Sequence, residues 1–289
     1  MWLVDYPKIT LVGVGLLGGS IGLAVKQRGV CGRVAGFVRR TESVKECLSA
    51  GVVDEATQDL AAAVTDASLI ILCTPVGDMG ALAAQLKPHL AAESVITDVG
   101  SVKAGVVREV EPVLPRFVGS HPMCGSEKIG VVHARGDLFA GAACAVTPTD
   151  QSDPMAVDTV SNFWVALGSN VISLAAEDHD AIVARTSHLP HVVASALVNA
   201  VLTKPRERES MFLGTGFRDT TRLASGSPPM WRDIALTNAE AIVQSIDDLQ
   251  VELERVKAAL GAKDAVALET FFADGQFSRD QWLESLEKK

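Results

Sequence analysis

A histidine in a short, glycine-flanked stretch is the residue of this chain best suited to chemistry. His121 follows an apolar run that begins at Phe117, and Pro122 holds the next backbone step extended. Gly119 and Gly125 on either side allow another molecule to approach closely. An imidazole titrates near neutral pH, so a ring on such a stiff loop is suited to general acid–base catalysis. A histidine satisfied by a loop carbonyl is the structural alternative.

The start of the chain has the pattern of a dinucleotide-binding turn. An apolar run at residues 9–14 leads into a glycine triplet, and a helix-compatible segment follows at residues 20–27. In such a turn the glycines allow a tight bend, a close approach to a pyrophosphate and close helix packing, while the helix N-terminus supplies free amides. A glycine-rich turn without a cofactor is the alternative. The residues predicted to form the cofactor turn are Gly13, Gly15, Leu16, Leu17 and Gly18.

The residues after the second predicted strand indicate which dinucleotide binds. The strand at residues 33–37 is not followed by the carboxylate that usually meets a free ribose 2′-hydroxyl, but by Arg39, Arg40 and Thr41. Two guanidiniums and a hydroxyl suit a 2′-phosphate, so we expect NADP as the cofactor, with NAD as the alternative. A solvated pair of arginines would be the structural explanation.

Further apolar runs alternate with helical segments. The expected strands are residues 69–73, 95–97, 142–147 and 170–173, and the expected helices are residues 79–86 and 154–167. This alternation predicts an α/β fold with a doubly wound parallel sheet, whose ligands lie beyond the carboxyl ends of the strands. Thr74, Ser101 and His121 each follow such a strand and should meet at that edge. Ser101 also has the residue type and position of a helix N-cap.

Strand patterns stop near residue 175, which predicts a dinucleotide-binding domain at residues 1–175 and a helical domain at residues 176–289. A mostly apolar helix is expected at residues 178–202, with His188 and His191 on nearly one face. A metal site would need a third ligand, which the helical spacing does not offer, so we predict no metal. Two explanations remain for these histidines: they contact the substrate, or they are buried and hydrogen-bonded within the protein.

The helical part also contains arginines and a heptad pattern. Arg218, Arg222 and Arg232 lie in a glycine- and serine-rich stretch, and a guanidinium offers a carboxylate two parallel donors. Pairing of Arg218 or Arg232 with a neighbouring aspartate is the alternative. Apolar residues then recur at steps of four and three from residue 235 to residue 260, which predicts one helix. That helix pairs with a second copy of the chain or packs within its own domain.

Composition narrows the class of protein. A length of 289 residues exceeds one typical core and predicts two domains. Neither a membrane span nor a secretory signal is apparent, so a cytoplasmic protein is expected. The five cysteines lack a Cys-x-x-Cys pair, which is typical of reduced thiols. A formal net charge of -9 argues against nucleic acid as the main partner.

Six motifs distributed along nearly the whole chain carry a family resemblance. They are Gly13-Val-Gly-Leu-Leu-Gly18, Cys73-Thr-Pro75, Asp98-Val-Gly-Ser-Val-Lys103, Gly119-Ser-His-Pro-Met-Cys-Gly125, Ser187-His-Leu-Pro-His191 and Gly216-Phe-Arg-Asp-Thr-Thr-Arg222. Together they resemble the prephenate/arogenate dehydrogenase family of tyrosine biosynthesis. The resemblance implies an N-terminal Rossmann domain, an all-α C-terminal dimerisation domain and a homodimer. It also implies oxidative decarboxylation of a cyclohexadienol with hydride transfer to the nicotinamide.

The same resemblance implies roles for single residues. His121 would hydrogen-bond the ring hydroxyl and act as general base, and Ser101 would orient that hydroxyl. Arg222, or else Arg218, would hold the ring carboxylate. His191 matches a position where prephenate users have histidine, so prephenate is the expected substrate, with arogenate or both as alternatives. Glu127 would bind the ammonium group of arogenate or form a contact between two subunits.

Two other classes of protein share the cofactor motif. A different Rossmann hydroxyacid or imine reductase would have the glycines and the heptad helix without the pairing of His121 and Arg222. A non-enzymatic dinucleotide sensor would need neither His121 nor Ser101.

Overall fold

The computed structural model describes residues 6–124, 128–203 and 209–287. Within them, eight strands form one sheet: β1 (Ile9–Val12), β2 (Val34–Phe37), β3 (Glu55–Thr57), β4 (Leu69–Leu72), β5 (Val95–Asp98), β6 (Phe117–Pro122), β7 (Ala143–Thr147) and β8 (Asn170–Ser173). Their order is β3-β2-β1-β4-β5-β6-β7-β8. Neighbouring strands in this described sheet run parallel except β6 and β7, which pair antiparallel. The predicted doubly wound sheet is therefore confirmed.

Six helices connect the strands and cover the sheet in the described part of this region: α1 (Leu16–Arg28), α2 (Thr41–Ser49), α3 (Leu60–Val64), α4 (Met79–Leu86), α5 (Ala104–Val110) and α6 (Pro154–Ala166). The sheet has a separate apolar cluster on each face, with Leu11 in one and Val12 in the other. Because the central strands β1 and β4 are buried on both faces, they are nearly continuous apolar runs in the sequence. The short elements α2, β3, α3 and α5 had no clear sequence pattern.

A buried ion pair fixes the loop after β5. The Lys103 side chain is fully buried, and its Nζ donates to the Asp98 carboxylate and, over 3.0 Å, to the carbonyl of Ser120. Asp98 also accepts hydrogen bonds from the backbone amides of Gly100 and Ser120 at 2.8 and 3.0 Å. Burial lowers the pKa of Lys103, and the Asp98 carboxylate opposes that shift. The pair joins the end of β5 to the middle of β6.

The prediction of Ser101 as a helix N-cap is wrong. The N-cap of α5 is Lys103, and its side chain makes no capping hydrogen bond. The first amides, those of Lys103 and Ala104, donate instead to the two carboxylate oxygens of Asp180, over 2.7 and 2.9 Å. A carboxylate far away in sequence therefore supplies the negative charge that a helix N-terminus favours.

The predicted helix at residues 178–202 is interrupted. It consists of α7 (Ala176–Val183), a π-helical turn (Ala184–His188) and α8 (Leu189–Leu202). Pro190 explains the break, because proline has no amide hydrogen and its ring clashes with the carbonyl four residues earlier. Wider turns of this kind often occur at functional sites.

The remaining helices are α9 (Thr215–Thr221), α10 (Pro228–Thr237), α11 (Ala239–Ala262) and α12 (Ala265–Glu287). The predicted single heptad helix is wrong at its start, because α10 ends at Thr237 and Ala235 lies on it. Asn238 makes the break, since its side-chain amide is committed to the carbonyl of Asp180.

The chain forms two compact units, Met1–Ala239 and Glu240–Lys289. The domain boundary predicted between residues 175 and 176 stays a prediction. No helix in the described ranges is long and apolar enough to cross a membrane.

Replacing Lys103 with methionine tests the buried pair. The change leaves the Asp98 carboxylate buried without its cation, so we expect the free energy of unfolding to fall by about 3–5 kcal/mol. Urea denaturation measures it. The matched control is Lys45→Met on the exposed side of α2, which should change stability by at most about 0.5 kcal/mol. Equal stability of the two variants would show that the pair is dispensable.

Candidate active site

A cavity of about 750 Å³ lies where loops after β1, β4, β5 and β6 meet the helices that follow residue 175. This is the edge at which ligands of doubly wound sheets bind. The predicted site residues that line it are Gly15, Leu16, Leu17, Thr74, Ser101, His121, His188, His191 and Arg222. The structure therefore brings together cofactor-turn residues, the histidines and an arginine.

The glycine turn has the shape needed for a dinucleotide. Gly13 has a φ of +95°, and a Cβ there would lie 2.8 Å from the carbonyl oxygen of Cys73. Gly15 is the N-cap of α1 without a side-chain cap, and a Cβ on it would meet no atom within 4 Å. The N-terminus of α1 therefore has both open space and backbone amides without a side-chain cap, as phosphate binding at a helix N-terminus requires. A Cβ at Gly18 would lie 2.3 Å from the carbonyl oxygen of Gly13, so the helix and the turn pack too closely there for a side chain.

A second observation supports the fit of a dinucleotide. The hydroxyl of Thr74 is buried and has no hydrogen-bond partner among the described residues. A buried polar atom normally has such a partner, so the hydroxyl is placed to meet a ligand in the cavity.

The residues predicted to bind a 2′-phosphate follow β2 and do not line the cavity. Arg39 and Arg40 keep 77% and 71% of their side chains exposed, with Asp78 3.8 Å from Arg39 and Glu46 3.9 Å from Arg40. The hydroxyl of Thr41 donates to Gln58, whose amide donates to the carbonyl of Arg39. At such exposure the two ion pairs contribute little, so both guanidiniums stay accessible to an anion.

His121 lies on β6 and is buried. Its neighbour Ser120 points to the opposite face of the sheet, where its hydroxyl accepts a hydrogen bond from the indole of Trp164. The Nδ1 of His121 is 2.9 Å from Nε2 of His179, which leaves the other ring nitrogen, Nε2, for a ligand. Burial lowers the pKa of His121 well below its ordinary value, and nearby His179 and Lys103 act in the same direction. The ring is therefore neutral at pH 7 and able to accept a proton.

The two histidines at the π-helical turn are fixed by different contacts. His188 is buried, its Nδ1 lies 3.2 Å from the side-chain nitrogen of Asn238, and burial lowers its pKa to about 4. The ring of His191 stacks on Trp231 with centroids 3.5 Å apart, and burial lowers its pKa as well. Both rings form an uncharged wall of the cavity, and the buried Nε2 of His188 has no hydrogen-bond partner among the described residues.

The structure distinguishes the three arginines. Arg222 lines the cavity, whereas Arg218 does not and keeps 78% of its side chain exposed beside Asp219. Arg232 forms hydrogen-bonded contacts with Asp233 at 2.6 and 2.8 Å, as the alternative of pairing with an adjacent aspartate predicts. Glu127 lies outside the described residues.

Several residues of the site were not identified from the sequence. His179 contacts His121, and Asp180 contacts His179. Asn238 contacts His188, and Trp231 packs on His191. For His179 and Asp180, the sequence signal was a histidine between two aspartates, residues 178–180, at the start of a predicted helix.

Comparison with known proteins agrees with this geometry. Residues 21–173 match the family model of the prephenate dehydrogenase nucleotide-binding domain, and residues 175–274 match that of its dimerization domain. The chain belongs to the prephenate dehydrogenase family. It is therefore an oxidoreductase of tyrosine biosynthesis with a nicotinamide dinucleotide cofactor.

Individual relatives in the family share most of the chain. Prephenate dehydrogenase of Bacillus subtilis (strain 168) is 35% identical over 94% of this chain and 75% of its own length. Cyclohexadienyl dehydrogenase of Zymomonas mobilis is 33% identical over 95% of each chain. A crystal structure of prephenate dehydrogenase from A. aeolicus, in complex with hydroxyphenyl propionate and NAD+, superposes with a TM-score of 0.90 at 31% identity, over 95% of this chain and 98% of that one.

Replacing Gly15 with alanine tests the cofactor turn. The added methyl group enters open space in the free protein, so we expect folding to be unchanged and dinucleotide affinity to fall by about tenfold or more, a loss of about 1.4 kcal/mol or more. Isothermal titration calorimetry with NADP and NAD measures it. Gly275→Ala, at an equally open position on α12, is the control and should bind as the wild type does. Unchanged affinity in Gly15→Ala would mean that the phosphates lie elsewhere.

Proposed function

We propose that this protein oxidises and decarboxylates prephenate to 4-hydroxyphenylpyruvate and carbon dioxide, with NADP as the hydride acceptor. The observation that carries the proposal is the position of His121. A neutral imidazole, whose Nε2 makes no hydrogen bond within the described residues, lines the same cavity as the glycine turn and Arg222. A general base, a place for a dinucleotide and a cation for a carboxylate are the three parts that this reaction needs.

His121 moves the proton in this reaction. The bound cofactor supplies the acceptor for the hydride that leaves the ring carbon bearing the hydroxyl. His121 takes the hydroxyl proton on Nε2 as the carbon–oxygen double bond forms. The bond to the ring carboxylate then breaks, carbon dioxide leaves, and the electron pair of that bond makes the ring aromatic. His121 returns its proton to the phenolate oxygen, so protons and electrons balance.

The other cavity residues bind and orient the substrate. Arg222 holds the ring carboxylate, because a guanidinium can donate two parallel hydrogen bonds to it. Ser101 hydrogen-bonds the ring hydroxyl and fixes it toward His121. His188 and His191, both with lowered pKa values, contact the uncharged carbon framework of the substrate. Arogenate is the second candidate substrate, since one relative is named a cyclohexadienyl dehydrogenase.

Charge near β2 supports NADP over NAD. Arg39, Arg40 and Thr41 follow the strand next to β1, where the adenosine end of a dinucleotide lies in this fold. The exposed guanidiniums can reach a 2′-phosphate, and no carboxylate occupies residues 38–41 to bind a free 2′-hydroxyl. The A. aeolicus structure contains NAD+, so that cofactor is the alternative.

The second unit supports a homodimer. Leu253 and Leu260 of the heptad pattern on α11 are 54% and 60% exposed, and Phe272 and Trp282 on α12 are 65% and 59% exposed. Large apolar side chains exposed along two helices favour burial against a second copy. Residues 176–289 would then form the dimerisation domain, and residues 1–175 the Rossmann domain.

Turnover with prephenate tests the function directly. With prephenate and NADP we expect reduced cofactor and 4-hydroxyphenylpyruvate to form in equal amounts. Absorbance measures the reduced cofactor, and chromatography measures the keto acid. The efficiency kcat/KM should be about tenfold or more higher with NADP than with NAD, as for a hydrogen-bonded charge worth about 1.5–3 kcal/mol. His121→Asn should lower kcat by about 100-fold or more and leave binding nearly unchanged.

The possible results separate the parts of the proposal. No turnover with prephenate but turnover with arogenate would change the substrate alone. No turnover with either would overturn the function. Equal efficiency with NAD and NADP would remove the role of Arg39 and Arg40.

Truncating the two arginines in turn tests the carboxylate site. Arg222→Ala should raise the KM for prephenate by about 10- to 100-fold, since it removes charged hydrogen bonds worth about 1.5–3 kcal/mol. Arg218→Ala is the matched control and should change KM by less than about threefold, because its side chain lies outside the cavity. Steady-state kinetics at saturating cofactor measures both. The opposite ranking would assign the carboxylate to Arg218.

A further inference from the structure

His179 is a buried histidine at the start of α7 with no part in the reaction described above. It is 2% exposed and lies between two partners. Its Nε2 is 2.9 Å from Nδ1 of His121, and its Nδ1 is 2.8 Å from Oδ1 of Asp180. A chain of three side chains therefore runs from the cavity into the protein interior.

The direction of the hydrogen bonds in this chain follows from its inner end. Both oxygens of Asp180 accept backbone amides, those of Lys103 and Ala104, so the carboxylate is an acceptor in this network. A neutral His179 then donates to it through Nδ1, which leaves Nε2 of that ring as an acceptor. The only proton that can fill the short contact between the two rings is one on Nδ1 of His121. The lone pair of His121 is thereby placed on Nε2.

We propose that His179 is a positioning residue that holds His121 in the tautomer able to act as a base, and that Asp180 anchors His179. The proposal rests on the proposed function of His121. Without His179, the ring of His121 is free to rotate and to carry its proton on Nε2. A ring in that tautomer cannot accept the proton of a substrate hydroxyl facing it.

The same chain stabilises the charge that His121 acquires. A protonated imidazole in a buried site loses hydration, and that loss is the main cause of the lowered pKa of His121. The described titratable groups near His121 are His179 from α7, Lys103 with its partner Asp98 from the β5 loop, His188 from the π-helical turn and Cys144 on β7, and Asp180 lies behind His179. Among these, the Asp98 charge is already matched by Lys103. A positive charge on His179 would oppose protonation of His121. Among the described groups, Asp180 is the remaining anion that can offset a proton on His121, acting through a neutral His179 that donates to it.

Two substitutions at His179 separate the hydrogen bond from the packing. His179→Phe removes the acceptor and the link to Asp180 while filling the space. His179→Gln places an amide oxygen near the position of Nε2 and so keeps an acceptor for His121. His89→Gln, at an exposed histidine outside the cavity, is the control and should behave as the wild type does.

We expect His179→Phe to lower kcat by about 10- to 100-fold, part of what a general base contributes, with KM for both substrates changed by less than about threefold. His179→Gln should recover part of the loss. The acidic limb of the kcat/KM profile should move to lower pH in His179→Phe, since protonated His121 has lost its acceptor. A packing defect alone would lower activity without moving that limb.

A measurement on the resting protein decides the tautomer without turnover. Imidazole nitrogen shifts of protein labelled with 15N at histidine, assigned with His121→Asn, should show neutral His121 with its proton on Nδ1. A proton on Nε2 of wild-type His121 overturns the proposal, as do wild-type kcat and pH profile in both His179 variants. No turnover by the wild type overturns the proposed function instead, and the nitrogen shifts still decide the hydrogen-bond chain.

Discussion

The ion pair between Asp98 and Lys103 determines where the parts of the site meet. Two charges at zero exposure are tolerated only if each is matched and hydrogen-bonded, and here the carboxylate also takes two backbone amides. The loop between β5 and α5 consequently has little freedom. Its amides at Lys103 and Ala104 point to Asp180, so α7 is held against the end of β5. His179 then lies beside His121 because it precedes Asp180 in the chain.

Burial gives the cavity its acid–base character. The pKa values of His121, His188 and His191 are all lowered, first of all because the rings lose water. With uncharged histidines, the described cations that line the cavity of this chain of net charge -9 are Arg222 and Lys128. A site that combined charged histidines with Arg222 would bind a carboxylate more strongly but would have no base. In the proposed function, binding and proton transfer are thus assigned to different side chains.

The π-helical turn is the local distortion that shapes the second half of the cavity. Pro190 cannot supply the amide of a regular helix, so the backbone widens at Ala184–His188. Ser187 and His188 reach the cavity from this turn and His191 reaches it from the first turn of α8. Asn238 then fixes His188 from the end of α10, and the same side-chain amide interrupts the heptad pattern between Ala235 and Ala239.

The sequence by itself determined the sheet apart from β3, because strands buried on both faces are continuous apolar runs. It also indicated the cofactor turn, which needs glycine at fixed spacing, and His121 as the candidate base. It also indicated the group of residues at the carboxyl edge, since parallel strands end there together. It did not determine the cap of α5, which comes from Asp180, or the neighbour of His121, which comes from His179. Nor did it distinguish Arg222 from Arg218. These outcomes depend on contacts between segments far apart in the chain, and only the tertiary structure brings such segments within hydrogen-bond distance.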